Sequence, residues 1–185
     1  METVQKALEH LKAGKVILYP TDTIWGIGCD ATNDAAIERV TAIKNRPQEK
    51  SFIVLVDSVN MLERYVPAFP EVCYDLIDLS EDPLTIVYEK VTGISDLALA
   101  ADGSLGIRVT KDPICRKLIQ GLRKPLLSTS ANTSGMPSPA SFNDIEAAIK
   151  SQVDYCVELR QNETCSKPSK IIKINNDSSI KILRK

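Results

Sequence analysis

Apolar residues along this chain fall in short, cleanly bounded runs whose spacing switches between helical and extended. Val4, Leu8 and Leu11 repeat at helical spacing and Gly14 ends the run, which predicts a helix over 2–13. Val16-Ile17-Leu18-Tyr19, closed by Pro20, reads as a short strand. Ala36, Ile37, Val40 and Ile43 share one face of a predicted helix over 34–44, and Pro47 disfavours helical geometry at Arg46. The uninterrupted run Phe52-Ile53-Val54-Leu55-Val56 predicts a strand near the middle of a sheet, covered on both faces. A helical stretch over 59–79 is interrupted by Pro67 and Pro70. Strands follow over 84–88 and 105–109, a helix from Asp112 to about Gly121, and a strand over 125–127. Ser141-x-x-Asp144 resembles a capping box and predicts a helix through Ile149. Strands over 155–159, 170–174 and 180–183 complete the chain. No strict βαβ repeat emerges. The expected fold class is α/β, a single domain over 1–185 built on a twisted mixed sheet with flanking helices.

Composition narrows the function classes. The 185 residues are enough to bury a substantial core, and 43% hydrophobic with 25% charged residues is ordinary for a globular protein. A net charge of -1 gives no global field toward nucleic acid or anionic membrane. The five cysteines, Cys29, Cys73, Cys115, Cys156 and Cys165, are scattered, odd in number and without a C-x-x-C pair. That pattern points to reduced thiols. Neither a signal-peptide pattern nor a run of about 20 apolar residues is present. The expectation is a cytoplasmic protein with no membrane partner.

Three segments hold candidate chemistry. Lys44, Arg46 and Lys50 gather cations around a turn, suited either to phosphate or to a solvated helix end. Ser128, Ser130 and Asn132 fall at alternate positions after Pro125-Leu126-Leu127. If extended, they point one way at ~7 Å intervals, ready for phosphate, ribose or carboxylate; the alternative is a turn in which Ser and Asn bond their own backbone. Thr21 and Thr23 alternate in the same manner after Pro20. Asp22 should face the other way, capping a turn or orienting a magnesium ion. Gly26-Ile27-Gly28-Cys29-Asp30-Ala31 fits the G-x-G-x-x-A pattern, yet Thr21 to Trp25 separate it from the preceding strand. Asp30 and Asp34 would also repel a pyrophosphate at the helix start, so a dinucleotide loop is discounted. No G-x-x-x-x-G-K-[ST] loop occurs. The one histidine, His10, lies in the first helix facing solvent, away from every candidate; Ser-His-Asp hydrolysis and His-ligated zinc are therefore disfavoured. No metal site is expected in the protein itself.

The segments Tyr19-Pro20-Thr21-Asp22-Thr23-Ile24-Trp25-Gly26-Ile27-Gly28, Lys44-Asn45-Arg46-Pro47 and Ser130-Ala131-Asn132 with Ser134-Gly135 and Ser138-Pro139 resemble the Sua5/YciO/YrdC family. This is the family of L-threonylcarbamoyladenylate synthases, and the resemblance is to its short, TsaC-like form. Pro83-Leu84-Thr85, Gly106-Ile107-Arg108-Val109 and Ile182-Leu183-Arg184 fall in the same order, so the resemblance covers essentially the whole chain. It implies a YrdC-like fold with a large, concave, positively charged cavity. It also implies conversion of L-threonine, bicarbonate or CO2 and ATP to threonylcarbamoyl-AMP and pyrophosphate, the first stage of N6-threonylcarbamoyladenosine formation at position 37 of tRNA. By the same resemblance Lys44, Arg46, Ser130 and Asn132 form the catalytic signature. Arg46, Lys50, Ser104, Ser130, Ser138 and Arg184 would contact ATP, and Thr23, Arg108, Ser128 and Ser169 would hold threonine. Mg2+ would accompany ATP, with Lys44, Arg46 and Lys50 stabilising pyrophosphate, and the product would pass to a downstream threonylcarbamoyl transferase complex. The rival readings are a YciO-like paralogue with another substrate and a module of the same fold binding double-stranded RNA or tRNA. The chain departs from the family pattern at Leu55, where some members have histidine, at Ser80-Glu81-Asp82-Pro83 and at Pro168-Ser169-Lys170.

Overall fold

The structure is a computed structural model that describes residues 2–45, 51–165, 167–174 and 179–185. Helix α1 (Glu2–Lys12) buries Ala7, Leu8 and Leu11 and stops at Gly14, whose φ of +70° a side chain would resist. Strand β1 (Ile17–Tyr19) turns through the Thr21 segment into β2 (Gly26–Asp30). Helix α2 (Asp34–Ile43) begins where the Asn33 side chain accepts from the Ala36 amide at 3.1 Å. Strand β3 (Ile53–Val56) precedes α3 (Val59–Glu63) and α4 (Val72–Asp78), separated at the prolines as expected. Then come β4 (Leu84–Tyr88), a 3-10 turn over Asp96–Ala98 and β5 (Leu105–Val109). The Asp112 carboxylate caps α5 (Pro113–Leu122), accepting from the amides of Ile114 and Cys115. Strand β6 (Leu126–Ser130), helix α6 (Ala147–Gln152), β7 (Tyr155–Cys156), β8 (Lys170–Ile174) and β9 (Ile180–Arg184) follow.

Among the described residues, all nine strands join one sheet in the order β7-β1-β2-β6-β3-β5-β4-β8-β9, with parallel and antiparallel pairs mixed. The apolar run at residue 52 does occupy the centre: β3 is the fifth strand, and Val54, Leu55 and Val56 are fully buried. Register assigns the two faces. Gly28 lies opposite Ser128, Ser128 opposite Ile53, Ile53 opposite Gly106, and Gly106 opposite Val87. These positions, with Gly26, Ser130, Arg108 and Thr85 two residues away, point to one side. Their neighbours Ile27, Leu127, Val54, Ile107 and Ile86 point to the other and are buried in the core, where α1, α2, α3 and α5 pack. One sheet face is therefore core, and the opposite face is left for function.

Some elements differ from the sequence pattern. Strand β2 carries two glycines, which hid it, and the strand predicted over 125–127 runs on to Ser130 because β2 pairs with it as far as Gly26↔Ser130. The helix expected from Ser141 begins only at Ala147. The Ser141 hydroxyl donates to the Asp144 carboxylate at 2.8 Å instead of receiving a backbone amide, which closes a turn, and Phe142 packs on Trp25. The strand predicted over 155–159 is regular only at Tyr155–Cys156. His10 is not directed simply to solvent; its ring stacks on Tyr155 at 5.0 Å.

Candidate active site

A cavity of about 360 Å³ opens on the functional face of the sheet, within the size range of small-molecule sites. Seven residues singled out from the sequence line it: Thr23, Arg108, Ser128, Ser130, Ser138, Ser169 and Arg184. Residues from both ends of the chain thus meet on one wall set.

Arg108, 5% exposed, is its central charge. Its Nη2 pairs with Asp22 at 3.2 Å and its Nη1 donates to Thr23 Oγ1 at 3.2 Å, while its buried Nε has no hydrogen-bond partner among the described residues. Asp22 thus braces the guanidinium. The turn itself is held by Thr21, whose Oγ1 donates to the Ile24 carbonyl at 2.7 Å and accepts from the amides of Thr23 and Ile24. The Thr21 and Thr23 hydroxyls also meet at 2.9 Å, and Thr23 Oγ1 accepts from Arg108.

Arg184, from β9, enters the same cavity. Its Nε donates to the Ser169 carbonyl at 2.8 Å and its Nη2 to Ser169 Oγ at 3.2 Å. Burial and the nearby Arg108 cation both lower the Arg184 pKa from its ordinary value. Two guanidiniums face one space and no carboxylate is among its described lining residues. Such an arrangement favours an anion. Ser169 Oγ also meets the fully buried Thr85 hydroxyl at 2.8 Å, and Ser128 Oγ accepts from the fully buried Tyr19 hydroxyl at 2.7 Å. Neither Tyr19 nor Thr85 stood out in the sequence as a site residue, since only cross-strand register reveals what lies behind a serine.

The other candidates sit differently. Lys44 is 1% exposed, and its ammonium donates to the backbone carbonyls of Ser130 and Asn132. Asn132 does not continue the row of Ser128 and Ser130. The chain turns at Ala131, with the Asn132 amide bonded to the Ser130 carbonyl, and Nδ2 donates to the carbonyls of Thr133 and Met136. Neither residue is among those lining the cavity; together they shape the loop after β6. Ser104 also lies off the lining, its hydroxyl donating to Asp102 at 2.6 Å. Arg46 and Lys50 fall outside the described residues. Gly26-x-Gly28 is strand, not a phosphate loop: a Cβ at Gly28 would stand 2.7 Å from the Tyr19 ring and 2.8 Å from the Leu127 carbonyl.

The chain is thus a mixed α/β protein whose sheet packs helices on one face and presents two guanidiniums and several serines, suited to an anion, on the other. The chain belongs to the Sua5/YciO/YrdC family, whose profile, described as telomere recombination, matches residues 9–185. A Methanocaldococcus jannaschii relative, provisionally named a threonylcarbamoyl-AMP synthase, is 37% identical over 186 residues, covering 98% of this chain and 86% of its own. The threonylcarbamoyl-AMP synthase of Pseudomonas syringae pv. syringae is 35% identical over 159 residues, 82% of each chain. Among solved structures, P. abyssi Sua5 complexed with L-threonine superposes with a TM-score of 0.86 at 24% identity, covering 98% of this chain and 53% of that one. E. coli YciO gives 0.86 at 24% identity, covering 100% and 89%. These likenesses establish the fold. The chain spans about half the length of the Sua5 chain.

Proposed function

We propose that this chain is an L-threonylcarbamoyladenylate synthase, forming threonylcarbamoyl-AMP and pyrophosphate from L-threonine, bicarbonate or CO2 and ATP. The observation that carries the reading is Arg108, buried beside Thr23 with an unpartnered Nε in a cavity that also holds Arg184, Ser128, Ser130 and Ser169. Relatives at 32–37% identity over most of the chain bear the synthase name.

Arg108 would grip the amino-acid carboxylate, assisted by Ser128 and Ser169, while Ser130, Ser138 and Arg184 would meet ATP, with Arg46 and Lys50 extending that set. The neutral amine of threonine attacks CO2, forming the N–C bond and releasing a proton. A carbamate oxygen then attacks the α-phosphorus, and the bond from that phosphorus to the bridging oxygen of pyrophosphate breaks. The described lining contains no histidine or carboxylate to take the proton, which leaves to water or to a phosphate oxygen. Catalysis on this reading is positioning and charge stabilisation. Lys44 and Asn132 would contribute by shaping the loop after β6. The same lining gives Mg2+ no carboxylate anchor, so the ion fits only as part of the ATP substrate and no step is assigned to it. Transfer to tRNA by a downstream threonylcarbamoyl transferase complex and a cytoplasmic location complete the proposal. No helix among the described residues is long and apolar enough to cross a membrane.

The test is pyrophosphate release from ATP with bicarbonate, measured with and without L-threonine. Threonine-dependent release is expected. Its absence, or equal stimulation by unrelated amino acids, would favour a YciO-like paralogue; retention of tRNA that weakens steeply with salt would favour the RNA-binding module.

A further inference from the structure

Tyr19 reaches its partner by an unusual route. Its strand β1 is separated from β6 by β2, yet its hydroxyl donates to Ser128 Oγ at 2.7 Å. The ring crosses β2 over Gly26 and Gly28, the two positions where no side chain intervenes. A Cβ at Gly26 would lie 3.3 Å from the ring and 3.2 Å from Ser128 Oγ, and one at Gly28 only 2.7 Å from the ring. Tyr19 is fully buried and so cannot swing away. Burial pushes its phenol pKa well up, so the proton stays on Tyr19 and is donated.

A serine hydroxyl has one proton and two lone pairs. Tyr19 occupies a lone pair, so the Ser128 proton remains for whatever enters the cavity. Arg108 beside it likewise carries only donors, whereas Ser169 Oγ accepts from Arg184 and shares a proton with the Thr85 hydroxyl. We propose that Tyr19 is a positioning residue that holds Ser128 as a hydroxyl donor, making the amino-acid subsite selective for a carboxylate over the corresponding carboxamide. A carboxylate accepts at every lone pair, whereas a carboxamide turns N–H groups toward donors and leaves them unpaired. This inference rests on the threonine reading above.

The experiment is calorimetric titration of L-threonine and L-threoninamide into wild type, Tyr19→Phe and Ser128→Ala, with melting temperatures recorded for each. Wild type is expected to prefer threonine by about 100-fold or more. Tyr19→Phe should weaken threonine by about fivefold to tenfold while changing threoninamide little, so the ratio narrows. Ser128→Ala should narrow it at least as far, and the double variant no further than Ser128→Ala alone. An unchanged ratio in folded Tyr19→Phe overturns the inference and leaves the threonine reading standing. If Tyr19→Phe does not fold, a wild-type ratio in Ser128→Ala overturns it instead. Wild type that binds no threonine overturns the reading itself, and this inference with it.

Discussion

The Lys44 ammonium lies 2.5 Å from the carbonyl oxygen of Asn132 and also donates to that of Ser130, which ties the end of α2 to the end of β6. The Ser134 amide returns to the Lys44 carbonyl at 2.9 Å, so the two signature motifs are joined through backbone as well as side chain. The Lys44 side chain is 1% exposed and braces these two backbone carbonyls. Lys44→Met should cost about 2–4 kcal/mol, because the buried Asn132 carbonyl and the part-buried Ser130 carbonyl lose a charged donor. Urea unfolding measures this. A lysine serving only to meet phosphate would leave the unfolding midpoint where it was.

Arg108 divides its guanidinium between Asp22, Thr23 and the cavity. Lysine keeps the charge but not the planar fork, so Arg108→Lys cannot satisfy all three. The expected result is a KM for L-threonine raised by about 100-fold with the KM for ATP moved less than about threefold. Equal loss toward both substrates in steady-state assays would show that Arg108 does not belong to the amino-acid subsite.

How much of this was legible before the structure depends on whether a feature is local. Helices α1, α2 and α5 and strands β3, β4, β5 and β8 follow from apolar spacing, caps and prolines, which act over a few residues. Strand β2 was not legible, because Gly26 and Gly28 give no extended pattern; their reason is the Tyr19 ring, seven and nine positions back in the chain but adjacent across the sheet. Thr23, Arg108, Ser128, Ser130, Ser138, Ser169 and Arg184 were assigned by resemblance and do line one cavity. The burial of Lys44 and the turn at Asn132 were hidden for a physical reason: a charge run and an alternating polar row look the same whether they face solvent, a ligand or a backbone carbonyl. Asp22 lies in the turn between β1 and β2 and its partner Arg108 on β5, and no local rule pairs them.

The two guanidiniums of the cavity repel, and an anion between them would relieve that cost. Pyrophosphate at about 100 times its Kd should stabilise the fold by about 2.7 kcal/mol, read as a melting shift of several degrees. In Arg184→Ala the shift should fall by about half or more, since one of two cations is gone and Ser169 loses the Arg184 donor. An undiminished shift would place the anion away from Arg184.

A pH-dependent contribution sits outside the cavity, where Asp154 links α2 to the start of β1. Its Oδ2 accepts from the Val16 amide at 2.8 Å and from Arg39 Nη1 at 2.6 Å. Burial pushes the carboxyl pKa up, but the Arg39 guanidinium and the Val16 N–H together outweigh it and hold the group below its ordinary value of 3.8. A carboxylate whose folded pKa is depressed stabilises the fold above the unfolded pKa, and that contribution is lost as pH falls through the folded value. Asp154→Asn should therefore be less stable than wild type by about 1 kcal/mol at pH 7, and the difference should shrink as pH is lowered beneath 3.8. Denaturation of both proteins across that range measures the gap. A gap that stays constant into acid would mean that Asp154 acts by shape and neutral hydrogen bonding, and that its charge contributes nothing to the junction of α2 and β1.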